Sequence, residues 1–328
     1  MREIDFEIQN KDRWKETDEL IRMGKAADPD ELILKYNEIN DDLAFARTHF
    51  PDGNIEHFLN QLLSRIHQSI YRNKKERPQR IKTFWLQELP LLWYKHRKYL
   101  LYSFLFFIAS ALLGILSAIA DPSFTRSFLG DAYMNMTIEN IDKGDPMAVY
   151  KSMQRGEMFW MITINNIRVS FLAFAGGVLA GFGTIFILFQ NGVMLGSFQY
   201  IFYEFDLLWE TVLVIWIHGT IEISAIIIAG AAGLVMGAGL LFPGSYPRLT
   251  SFVRQGRDGL KMVIGLVPFF ILAGLLESFV TRYTNMPVWL SLCIIIGSAT
   301  LIIFYFILLP FRVSRLQKLN AEDSNAPI

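Results

Sequence analysis

Along the chain the apolar positions follow two different rhythms. Through residues 1–98 they stand singly, three or four apart, among charges of both signs, as in Leu32, Tyr36, Ile39 and Leu43 and again in Phe58, Leu62, Ile66 and Ile70. That spacing is the stripe of an amphipathic helix, and it predicts helices over residues 6–23, 29–48 and 54–72. Asp28 before Pro29 offers a cap and a first-turn proline, and Pro51-Asp52-Gly53-Asn54 a turn into the third helix. From residue 99 to residue 311 the apolar positions instead run together in stretches long enough to cross a bilayer, which takes about 20 residues. The fold class expected is therefore all-α: a polytopic helical membrane protein of five to six spans behind a small N-terminal helical domain.

The spans predicted are 99–120, 169–189, a complicated region from 193 to 242, 262–280 and 289–311. Basic residues orient them, since cytosolic flanks collect Lys and Arg. Lys95, Arg97 and Lys98 precede the first span, Arg248, Arg254, Arg257 and Lys261 precede the fourth block, and Arg312, Arg315 and Lys318 follow the last. With all three clusters cytosolic, residues 193–242 must cross an even number of times or dip and return. A straight helix over residues 207–241 would be about 50 Å long, against a hydrocarbon core of about 30 Å. The pattern therefore predicts a short or re-entrant segment at 193–205 and a helix broken or strongly tilted at His218-Gly219. Such a break is tolerated where protein or a water-filled cavity satisfies the backbone.

Four regions result: a cytosolic helical domain at 1–78, a basic amphipathic segment at 79–98, a transmembrane domain at 99–311 with an external segment at about 121–167, and a cytosolic tail at 312–328. In the second, Ile81, Phe84, Trp85, Leu89, Leu92 and Trp93 lie beside Arg80, Lys82, Lys95, Arg97 and Lys98. That mixture suits a helix in the headgroup layer, kinked at Pro90, or a fourth helix of the soluble bundle. The external segment is expected to carry one or two surface helices, one near residues 147–160.

Composition narrows the function. The formal net charge is zero, so no global field recruits nucleic acid. The first 25 residues hold six acidic side chains between Asp5 and Glu19 and no apolar core, unlike a secretory signal, which predicts a cytosolic N-terminus. Cys293 is the single cysteine; inside a predicted span it reads as a small buried hydrophobe.

The chemistry concentrates where charge is scarcest. No Lys or Arg occurs between Arg168 and Arg248, yet His218 and Glu222 stand there four residues apart. On a helix that spacing puts imidazole and carboxylate on one face, and ionisable groups at membrane depth mark a functional site by default. The pair can hold a broken helix together or relay protons or ions in a transporter. A zinc hydrolase needs three ligands and an activated water. His-Gly-Thr-Ile-Glu is not a His-Glu-x-x-His motif, and His49, His57, His67 and His96 all precede the spans. No phosphate loop, dinucleotide fingerprint or nucleophile elbow occurs. The expectation is no enzyme, catalytic residue, metal site or cofactor. Further candidates are Glu277, placed near an interface, Asn166 and Arg168 at the mouth of the second span, and Gln190, Asn191 and Gly192 at its other end. Gly177 and Gly181, and Gly233 and Gly237, form small-residue ladders that let helices pack closely.

These ordered motifs carry a resemblance. Asn166-x-Arg168 before a glycine-rich span, Gln190-Asn191-Gly192-Val193-Met194-Leu195-Gly196, His218-Gly219-Thr220-Ile221-Glu222 with Ala229-Gly230-Ala231-Ala232-Gly233, and Ala273-Gly274-Leu275-Leu276-Glu277 resemble the stage II sporulation protein M family from about residue 165 to residue 311. Residues 36–44 and 59–63 are similar to the cytosolic extension of its longer members. The resemblance implies an all-helical polytopic membrane protein, expected in the bacterial inner membrane, with both termini predicted cytosolic by the basic flanks. It also implies a scaffold or assembly role, with partners among membrane or envelope proteins such as peptidoglycan-remodelling factors. Homo-oligomers, dimers above all, and membrane lipid complete the expected partners, and an ion- or solute-coupled transporter using His218 and Glu222 is the alternative.

Overall fold

The computed structural model describes residues 2–23, 29–51, 53–72, 78–151, 153–284 and 286–324, and among them it contains helices and no strand. Asp28 and Asp52 of the predicted cap and turn lie outside the described residues. The chain divides into two compact units, Met1–Lys82 and Thr83–Ile328.

The first unit is built from α1 (Glu3–Met23), α2 (Pro29–His49) and α3 (Asn54–Arg72). Phe6, Trp14, Leu32, Ile39, Leu43, Leu59, Leu62 and Ile66 make its core. On α3 the buried stripe is Ile55, Leu59, Leu62 and Ile66, whereas Phe58 is 46% exposed. Leu62 and Ile66 lie on the stripe as expected, and Phe58 gives way to its apolar neighbour Leu59, a choice that packing against α1 and α2 decides. Asp42 fixes α2 to α1, accepting from Trp14 Nε1 at 2.8 Å and from Arg13 at 2.6 Å.

The first unit ends in α4 (Pro78–Thr83), and the second opens with a π-turn at Phe84–Glu88 followed by α5 (Leu89–Lys95). The wide turn meets Pro90, whose missing N–H cannot close an ordinary helical bond. A second π-turn, Phe304–Leu308, precedes Pro310 in the same way. Residues 84–95 are neither a free interfacial helix nor a part of the soluble bundle. Trp93 is fully buried with its ring 5.2 Å from Phe306, Tyr305 donates to the Trp85 carbonyl, and Glu88 pairs with Lys261.

Among the described residues six helices are long and apolar enough to cross a membrane: Arg97–Ala120, Arg155–Leu179, Phe182–Glu204, Leu208–Leu241, Arg248–Thr281 and Val288–Asn320. They comprise α6 (Arg97–Ala120), α9 (Arg155–Ala175), α10 (Phe182–Glu204), α11 (Leu208–Leu241), α12 (Arg248–Ile264) with α13 (Val267–Leu275), and α14 (Val288–Ile303) with α15 (Leu309–Ser324). Between α6 and α9 lie α7 (Pro122–Leu129), α8 (Asp131–Asp142) and a short 3-10 turn at Ala148–Lys151. The helix anticipated near residues 147–160 is therefore two things, that turn and the start of α9.

Two span assignments change. The predicted span 169–189 straddles a hairpin, because Ala180 (φ 53°) and Gly181 (φ 91°) adopt left-handed backbone between α9 and α10. Left-handed backbone suits glycine, and the glycines that read as a ladder in one helix make a turn between two. The predicted re-entrant segment is then the second half of α10, and α11 runs unbroken through His218-Gly219 for 34 residues. At 1.5 Å per residue α11 is about 51 Å long. It can exceed a core of about 30 Å because it is the most deeply buried of the six and is solvated mainly by protein. With the extra hairpin the helices number six, and one crossing each brings the Arg97, Arg248 and Arg312 flanks to a common side without any dip.

Close packing around α11 follows from small residues. A Cβ on Gly177 would strike the Gly233 carbonyl, and one on Gly237 would strike Gly181, so the two predicted ladders pack on each other. Gly192 presses on Ser110 and Gly196 on the Ala111 carbonyl of α6. Hydrogen bonds from Ser103 to the Ile227 carbonyl (2.6 Å) and from Thr184 to the Ala173 carbonyl (2.7 Å) tie the helices where backbones come near. Cys293, by contrast, is exposed on α14, since that helix is peripheral and little of it meets protein.

Candidate functional site

His218 and Glu222 keep the helical spacing that put them on one face, but each meets a different neighbouring helix. Thr281 Oγ1 donates to the Leu276 carbonyl at 3.3 Å, so its lone pair accepts Nδ1–H of His218 at 3.0 Å. That assigns the proton to Nδ1 and leaves Nε2 with a free lone pair. Nε2 faces Glu277 Oε1 at 3.8 Å, beyond hydrogen-bond reach. The Asn166 side chain of α9 stands beside the Glu222 carboxyl in the same chamber. Nitrogen and oxygen donor atoms of His218, Glu222 and Glu277 lie within 4.8 Å of one another.

These groups line a chamber of about 420 Å³. Its walls come from α9 (Asn165, Asn166, Val169), α10 (Asn191, Met194, Phe198), α11 and Glu277, and Leu129, Tyr133 and Tyr150 reach it from the segment joining α6 to α9. The Tyr150 ring stands edge-on to His218 with centroids 5.7 Å apart. Burial first, and then the nearby Glu277, Tyr133 and Glu222, hold its phenol well above the ordinary value, so Tyr150 presents a neutral O–H. Among the described residues no Lys or Arg lines the chamber.

The structure thus gathers His218, Glu222, Asn166, Asn191 and Glu277, and leaves the other candidates apart. Glu277, expected near an interface, is 9% exposed; it sits in a π-turn, Leu276–Thr281, whose extra residue turns the carboxylate inward. Asn166 and Arg168 are not at a span mouth but well inside α9, and Arg168 points outward from the chamber, exposed and without a polar partner among the described residues. Gln190 is exposed on α10, and Gly192 is a packing residue. Tyr150 and Thr281 were not singled out from sequence; Thr281, four positions after Glu277 in an apolar run, carried a weak signal, and Tyr150 carried none.

The expectation that excluded a metal site rested on a single histidine with one carboxylate. The fold adds a third donor. One imidazole nitrogen and two carboxylates around a polar chamber can bind a cation or share protons.

A family model described as Stage II sporulation protein M matches residues 103–282, a stretch that contains every residue lining the chamber. A second, described as a domain of unknown function (DUF8413), matches residues 4–72, the three helices of the first unit. The chain matches no curated protein and no solved structure.

Proposed function

From the premise that the chain belongs to the stage II sporulation protein M family, we propose that this multi-pass membrane protein is a scaffold or assembly factor of the bacterial inner membrane, not an enzyme. The observation that carries this reading is the sealed packing below the chamber. Gly177 on Gly233, Gly181 on Gly237 and Gly176 on Gly183 bring backbones into contact, so a through-pathway would require α9, α10 and α11 to separate. Packing of this kind suits a rigid body that carries a helical unit for recruitment.

The basic flanks support an orientation with both termini and residues 242–247 in the cytosol and α7 and α8 outside. Arg168 supports self-association. It lies 13 positions after Arg155 in the Arg155–Leu179 helix, too deep for its side chain to reach either surface. A centrally placed arginine costs at least about 2.5–3.5 kcal/mol, and a second copy covering α9 would relieve that cost. The partners proposed are a second copy and envelope proteins, including peptidoglycan-remodelling factors.

Transport is the second reading, favoured by the ionisable chamber itself. Affinity capture from native membranes, with proteoliposome flux measured on the same preparation, separates the two. The scaffold reading expects a defined set of captured proteins that Glu222→Gln leaves unchanged. A pH-dependent ion or solute flux abolished by Glu222→Gln would refute it.

A further inference from the structure

We propose that His218, Glu222 and Glu277 bind one divalent metal ion of the zinc class inside the membrane unit. The inference does not depend on the scaffold reading and adds a site to it.

The first argument is orientation. With Thr281 Oγ1 donating to the Leu276 carbonyl and accepting a hydrogen bond from Nδ1–H, the histidine turns an unprotonated Nε2 toward a carboxyl oxygen 3.8 Å away. Two lone pairs facing each other at that distance are too far apart for a direct hydrogen bond and repel unless a proton or a cation lies between them, and the 3.8 Å gap is wider than a shared proton spans. Two ligands at about 2.1 Å from one tetrahedral ion are separated by about 3.4 Å, so a shift of a few tenths of an ångström suffices. Mutual separations within 4.8 Å place all three donors no more than about 2.8 Å from a common point, close to the 2.0–2.2 Å of zinc bonds to His and Glu.

The second argument is the unmet demand of Glu277. Its side chain is about nine-tenths buried and lines the chamber, and among the described residues it has no hydrogen-bond partner. His218 is held by Thr281 at 3.0 Å, the kind of outer contact that orients a metal ligand, and Asn166 stands beside Glu222. Glu277 has no such contact among the described residues; it faces His218 across the chamber, with Tyr150 nearby. With no Lys or Arg lining the chamber, a dication is the counter-charge that would satisfy both carboxylates at once. One nitrogen and two carboxylate oxygens form a donor set that suits zinc and related first-row ions better than Ca²⁺ or Mg²⁺, which take oxygen ligands alone. Three protein donors leave a coordination position toward the chamber.

The test uses the full chain in detergent, stripped with chelator and then equilibrated with Zn²⁺ or Co²⁺. Elemental analysis should find one Zn²⁺ per wild-type chain, and Co²⁺ should give the intense visible absorption of a four- or five-coordinate site. Glu277→Gln and Glu222→Gln should each abolish that absorption, and Thr281→Val, which removes only an outer contact, should weaken binding by about 10–100-fold. Metal content unchanged in a folded Glu222→Gln/Glu277→Gln double variant would show that the other histidines hold the ion and would overturn the proposal. Should the variants fail to fold, a wild-type Co²⁺ spectrum indistinguishable from the hydrated ion would overturn it on its own.

Discussion

Two glycines on α11, Gly219 and Gly233, provide a matched experiment in which replacement by alanine should have opposite signs. A Cβ on Gly219 would meet Ile223 at 3.7 Å and Ile215 at 3.8 Å, ordinary van der Waals contact. The helix is continuous there, so alanine should stabilise by about 0.5–1 kcal/mol through helix propensity alone. A Cβ on Gly233 would collide with the Ala173 carbonyl and with Thr184 Oγ1, the two ends of the 2.7 Å hydrogen bond that closes the α9–α10 hairpin. Overpacking costs about 1–3 kcal/mol and an interhelical hydrogen bond is worth about 1 kcal/mol. Gly233→Ala should therefore destabilise by about 2–4 kcal/mol. The variants would differ by about 3–5 kcal/mol, which SDS titration of the protein in mixed micelles resolves as shifts of midpoint in opposite directions. A destabilising Gly219→Ala would mean that α11 is broken beside His218 after all, and a silent Gly233→Ala would mean that the hairpin and α11 are not in contact.

Topology can be read by cysteine labelling in a Cys293→Ser background: an impermeant maleimide added to intact cells should label an exposed cysteine at Ser127 and leave one at Ser245 unlabelled, and the reverse result would invert the proposed orientation. Asp121 gives a pH test. Its carboxylate caps α7 by accepting from the Ser123 N–H at 2.8 Å, and the hydrogen bonds from Ser123 hold its pKa below the ordinary value. Because the folded-state pKa is depressed, the stabilisation is fully present above the unfolded value of about 3.9 and is lost as pH falls through the lower folded value. The difference in thermal midpoint between wild type and Asp121→Ala should therefore be constant near neutrality and vanish on strong acidification; a difference that persists at low pH would show that the carboxylate's charge plays no part in the cap.

How far the fold could be read from the chain depended on what each signal measures. Apolar period and run length report burial of one element at a time, and they located the soluble helices and the membrane part. They could not place the α9–α10 hairpin, because a tight turn inside apolar sequence involves no polar residue. Its marker was the glycine density at Gly176, Gly177, Gly181 and Gly183, which fits equally a ladder in one helix and a turn between two. Positive backbone φ at Ala180 and Gly181 decides between them, and that is a property of the packed chain. The error then propagated, since missing one turn forced a break into α11 to restore parity. The length objection to α11 failed for a different reason: the limit of about 30 Å applies to a helix surrounded by lipid, and α11 is surrounded by protein.

The site shows the same division. Helical spacing finds partners four residues away, and it found Glu222 for His218. It says nothing of partners on other helices, which tertiary packing supplies: Asn166 beside Glu222 and Thr281 beside His218. Glu277 was within reach of the same logic. It is the lone ionisable residue between Met262 and Thr281, as costly at membrane depth as Glu222, and apolar helices that carry such residues lower that cost by bringing them together around a shared proton or cation. Pairing isolated charges between spans, instead of within one helix, would have brought Glu277 to His218 from sequence alone. Tyr150 would still have been missed, since it belongs to a short turn outside the spans and only the closing of that segment over α11 carries its ring to the imidazole.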